Sequence, residues 1–225
     1  MSTNYNILLK SEKKLKKLLF SYLFHVYEIH QKLWRDTEKY IGQNENLILD
    51  NVERRLKRSL DAEDELLDEC IWTISKDDPR ANHLRFIIFI IYSTKDLSRA
   101  CEYTQSIGKI IVRNNFSKKT IDIIKPLFKL YLKHIEQIIE LHNDEMENFN
   151  LENFDDLTSQ FEEKFEEIQK EIKKQFSNDE FIHYKIMQIE RLISSTIERI
   201  QSTFSFALLS KMGSTITIGA IKKTK

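Results

Sequence analysis

Only four glycines and two prolines punctuate the 225 residues of this chain, and that scarcity limits what it can fold into more than any other feature. Gly and Pro are the residues that stop helices and set tight turns. With so few of them, and with 31% of residues charged, the composition suits long helices with charged surfaces and suits sheets poorly. The chain reads as all-α. Short polar breaks at Gly42-Gln43-Asn44, Asp77-Asp78-Pro79, Asn114-Asn115, Asn148-Phe149-Asn150 and Ser177-Asn178-Asp179 divide it into six helices. The expected spans are 4–40, 45–76, 79–113, 117–147, 151–176 and 179–212. Most approach 30 residues, about 45 Å at 1.5 Å per residue, the length of bundle rods rather than of short globular helices.

Asp78-Pro79 gives the clearest start signal: Asp caps free amides and Pro fills the first helical position, so the third helix is expected to begin there. Its apolar run at 86–92 is strand-prone by propensity. However, Phe86, Ile90, Leu97, Cys101, Ile107 and Ile111 keep helical spacing beyond the run, and so do Ile182, Ile186, Ile189, Ile193, Ile197, Ile200 and Phe204 in the sixth helix. These two are read as core helices. The charged segment 162–174 reads as a solvated face braced by ion pairs one turn apart. Pro126 must either kink the fourth helix or mark a later start. The tail, 214–225, is expected to be loosely ordered.

Cys70 and Cys101 lie in apolar-periodic stretches without a CxxC pair, which reads as two buried thiols in a reducing compartment. Thirty-five basic residues balance thirty-five acidic ones, so nucleic acid is not an expected partner. No run approaches the ~18 uncharged apolar residues of a membrane span. The patch at 18–27 follows lysines, as a signal peptide would, but it lacks a small-residue cleavage site. The reading is a cytoplasmic protein, peripheral to the membrane at most; the lysines at 10, 13, 14, 16 and 17 could touch an anionic surface or form a solvated face.

The two core helices carry a related cassette: Asp96-Leu97-Ser98-Arg99-Ala100-Cys101-Glu102 and Ile189-Glu190-Arg191-Leu192-Ile193-Ser194. Ser98 and Glu190 lie 92 residues apart, too far for a short solenoid repeat and suited to two helical bundles in series. Together with Leu67-Asp68-Glu69-Cys70, Asp78-Pro79-Arg80-Ala81-Asn82-His83-Leu84-Arg85 and Lys211-Met212-Gly213, the cassettes resemble the PhoU family of phosphate-transport regulators over residues 5–213. The family pattern "P-x-A-x-D-L-R", then "D-L-E-R-I-G-D", has Arg85, Asp96, Ser98 and Arg99 as its counterparts in the first repeat, and Glu190, Arg191 and Ser194 in the second. The resemblance implies two tandem antiparallel three-helix bundles related by pseudo-symmetry, 1–114 and 115–213, with helices three and six at the centre. It also implies a non-catalytic adaptor that negatively modulates a phosphate-specific ABC transporter through its ATPase subunit, with a phosphate-sensing kinase as a further partner and homodimer formation open.

Family members hold metal clusters on these carboxylates, which makes Glu102, Glu190 and Glu198 the candidate ligands for a weakly bound divalent or iron-type ion. Each box has lost one carboxylate, at Ser98 and at Ser194, and hard cations need several convergent oxygens. The family's glycine is Cys101 in one cassette and Ile193 in the other, and its helix-start Asp is His83, which reads as drift on an exposed turn. Arg85, Arg99 and Arg191 are read as salt bridges from core helices to their neighbours, or as functional groups. Glu180-Phe181-Ile182-His183 has no partner copy with which to make a di-iron site and reads as a helix start. No Gly-rich phosphate loop or nucleophile elbow occurs. The alternative to the adaptor is a metal-binding, or purely structural, helical bundle.

Overall fold

The computed structural model describes residues 5–79, 82–143 and 151–212. They form α1 (Tyr5–Tyr40), α2 (Asn46–Asp77), α3 (Asn82–Arg113), α4 (Lys118–Asn143), α5 (Leu151–Gln175) and α6 (Glu180–Met212), and no strand occurs among them. The expected tail and the Asn148–Asn150 break lie outside the described residues.

The strand-prone run of α3 is helical because burial follows a period of 3.6: Phe86, Ile87, Phe89 and Ile90 are buried while Ile88 and Tyr92 are exposed. The start of α3 differs from expectation. Pro79 is not helical, and Asp78 closes α2 in the left-handed conformation, with φ 45°. Asn115 adopts the same conformation after α3. Two caps work as side-chain chemistry dictates: Ser117 Oγ accepts from the Thr120 amide at 3.1 Å, and Asp179 Oδ1 from the Ile182 amide at 3.0 Å. Pro126 lies inside α4, so the helix continues through it and forgoes the bond to the carbonyl four residues back.

Helices α1, α2 and α3 pack against one another in all three pairings, and α3 lies along α6 in the most extensive contact of the molecule. On the other side α4 packs on α5, α6 and α1. Bonds from Asp96 to Ser202 and from Tyr103 to Arg199 show α3 and α6 running antiparallel. The buried side chains form one continuous core across both halves; Trp34 of α1 stacks on Phe128 of α4, centroids 4.4 Å apart. Gly108 permits a close approach of side chains from α1 and α2. A Cβ there would meet Leu33 Cδ1 of α1 at 3.3 Å and Leu49 Cδ2 of α2 at 3.4 Å.

Candidate functional site

Each cassette anchors its core helix to the helix before it. Ser98 is buried, and its hydroxyl donates to Glu63 Oε2 of α2, while Lys95 Nζ donates to Glu63 Oε1. In the second half, the buried Glu190 accepts from Gln169 Nε2 of α5 at 3.1 Å. Burial raises the Glu190 pKa, and the Gln169 bond opposes the shift. Each position thus bonds to the preceding helix of its half. Their depth differs, since Ser98 is the seventeenth residue of α3 and Glu190 the eleventh of α6.

A second set of bonds joins α3 to α6. Arg199 Nη1 donates to Asp96 Oδ1 at 2.6 Å, Ser202 Oγ donates to Asp96 Oδ2 at 2.6 Å, and Arg199 Nε donates to the Tyr103 hydroxyl at 3.2 Å. Both oxygens of Asp96 are thereby occupied by the partner helix, a charge-assisted arrangement that fixes the register of the antiparallel pair.

Among the described residues Arg85, Arg99 and Arg191 make no salt bridge to a neighbouring helix. Arg99 pairs with Glu102 of its own helix at 2.6 Å, on the surface, and Arg85 reaches Asn82, also of its own helix, at 3.3 Å. Arg191 is exposed. The ties between core helices come from Arg199 instead. His83 is likewise not an idle surface residue, since its Nδ1 meets the Glu12 carboxylate of α1.

Of the candidate metal ligands, Glu102 is held by Arg99, Glu190 is buried against Gln169, and Glu198 is exposed. Ser194 is half-buried. Eight residues of helix separate Glu190 from Glu198, a rise of about 12 Å, too long for both to reach one ion. Among the described residues no three His, Cys, Asp or Glu side chains come together as metal ligands.

Sequence reasoning missed the polar centre of the molecule. His30 of α1 is fully buried; its Nε2 donates to the Ala100 carbonyl at 3.0 Å and lies 3.1 Å from Thr104 Oγ1, both on α3. That donation leaves Nδ1 to accept from the Tyr131 hydroxyl of α4, at 2.8 Å. Three helices thus meet on one imidazole. Burial pushes the His30 pKa down to about 4, against the raising effect of the Ala100 carbonyl. His134 is similar: it stacks on Phe161 of α5 at 4.3 Å, Gln201 of α6 approaches its Nε2 at 3.3 Å, and burial lowers its pKa to about 4. The available signal was a histidine in register with the apolar stripe of Leu19, Leu23, Val26 and Leu33, where an imidazole requires partners. Cys70 and Cys101 are buried, and burial pushes both thiols up to about 12, away from the reactive thiolate range.

No protein-family model matches the chain. Similar proteins occur in mycoplasmas. Uncharacterized protein MG409 of Mycoplasma genitalium is 37% identical over 175 residues, 71% of this chain and 68% of that protein. The MG409 homolog of Mycoplasma pneumoniae, also uncharacterized, is 32% identical over 206 residues, 88% of this chain and 90% of its own length. Identity at this level, spread over most of both proteins, shows that the chain belongs to the family of MG409 and its homolog.

Proposed function

We propose that this protein is a PhoU-like cytoplasmic regulator of phosphate transport, a non-catalytic adaptor that restrains a phosphate-specific ABC transporter by binding its ATPase subunit. The observation that carries the reading is the placement of the two cassettes. They lie on the paired helices α3 and α6, and each bonds back to the preceding helix, Ser98 to Glu63 and Glu190 to Gln169. Cassette side chains engaged in this way hold a scaffold in register. The absence of a helix long and apolar enough to cross a membrane, among the described residues, accords with a protein that meets its transporter from one side.

Deletion of the gene is expected to raise or deregulate phosphate accumulation, and tagged protein is expected to recover the transporter ATPase from native lysate. Unchanged accumulation in the deletion strain, together with no transporter subunit in the eluate, would sink the reading.

A further inference from the structure

We propose that the cleft between α1 and α2 binds a dianionic phosphate group, carried either by inorganic phosphate or by a mononucleotide. The cleft has a volume of about 290 Å³. Arg55 and Arg58 of α2 line one side, with His25, Phe24 and Glu28 of α1 opposite. At a spacing of three residues the two arginines share a helix face. Among the described residues neither meets a carboxylate within ion-pair distance.

Glu28 is turned instead toward His25 Nδ1, 3.9 Å away, and His25 Nε2 is engaged with Ser59 Oγ at 2.9 Å. Two unpaired guanidiniums one turn apart repel each other, and a dianion between them reverses that repulsion while accepting their N–H groups in pairs. Phe24, 45% exposed at the rim, offers a ring face to a planar group attached to the phosphate. Glu28 and Glu65, also lining the cleft, can accept from hydroxyls of such a ligand. The site stands on these residues and is independent of the transporter reading.

The test is calorimetric titration of the full chain, at low salt, with inorganic phosphate and separately with AMP. Saturable binding is expected, weakened at least about tenfold in the R55Q/R58Q variant, the loss of two charge-assisted bonds. The R54Q/K57Q variant removes the same charge from positions that do not line the cleft and should bind as the parent does. Preference for AMP identifies a mononucleotide site; equal or tighter binding of phosphate identifies the free ion. Absence of saturable heat up to roughly 10 mM, a weak limit for any specific site, overturns the proposal. Equal loss in both double variants overturns it too, because diffuse charge would then account for the binding. A readout without substitution is arginine modification by phenylglyoxal: ligand should protect Arg55 and Arg58 but not Arg54, and uniform modification would count against the site.

Discussion

At the scale of single residues, this molecule uses polar side chains in its interior where a plain helical bundle would use leucine. His30, His134, Glu63 and Glu190 are buried, and each has a bonded partner on another helix. Such groups add little net stability over apolar packing but make misregistered packings costly, because a shifted helix would strand them. The histidines also set a pH dependence. Unfolded imidazole titrates near 6.5, whereas His30 and His134 titrate at about 4. Between those values the unfolded chain holds more protons than the native one, so stability falls as pH falls through the window. Each histidine is expected to remove about 2 kcal/mol by pH 5 and about 3 kcal/mol by pH 4. Glu190 acts with the opposite sign: its raised pKa lets the native state take a proton first, so stability rises as pH drops through that pKa. Urea midpoints at pH 7 and pH 5 check the balance. The midpoint should drop, and the His134→Gln variant should show a smaller drop than the parent.

At the scale of elements, the six helices and their approximate limits were legible because apolar periodicity and polar breaks are local signals. The third helix shows where local signals stop. Asp78-Pro79 is a good start motif, yet Asp78 ends α2 in the left-handed conformation and Pro79 is not helical. Gly108 shows the same limit from another side. In sequence it is an unfavourable residue within a helix, and its use appears only where Leu33 and Leu49 press against its missing side chain. Gly108→Val is therefore expected to destabilise by about 1–3 kcal/mol through overpacking. Gly108→Ala should cost less, because the gain in helix propensity offsets part of the crowding. Denaturation by urea distinguishes them, and a Val variant as stable as the parent would show that α1 and α2 can move apart freely.

At the scale of the whole molecule, the buried side chains of both halves join in one core. The Trp34–Phe128 stack, the His30–Tyr131 bond and the Asp96–Arg199–Ser202 group all cross from the first three helices to the last three. A fragment spanning 1–114 would expose α1 and α3 faces covered in the full chain by α4 and α6. It is expected to be poorly helical or aggregated alone and to recover helicity when mixed with 115–213, as measured by circular dichroism. Full-length protein should unfold in one transition with tryptophan fluorescence and circular dichroism coincident. A stable, monomeric, cooperatively folding 1–114 fragment would show that the shared core is dispensable.

The sequence by itself determined the fold class and the number of helices. Scarce Gly and Pro, polar breaks and a 3.6-residue apolar period are properties of each segment, and no neighbour is needed to read them. It also drew attention to Ser98 and Glu190. What those residues touch was decided only in three dimensions: Ser98 meets Glu63, thirty-five residues earlier, and Asp96 meets Arg199, more than a hundred residues later. The same holds for the burial of His30 and for the cleft of Arg55 and Arg58. Those arrangements depend on the angle and register at which helices dock, which arise from packing of whole faces, so no local stretch of the chain encodes them.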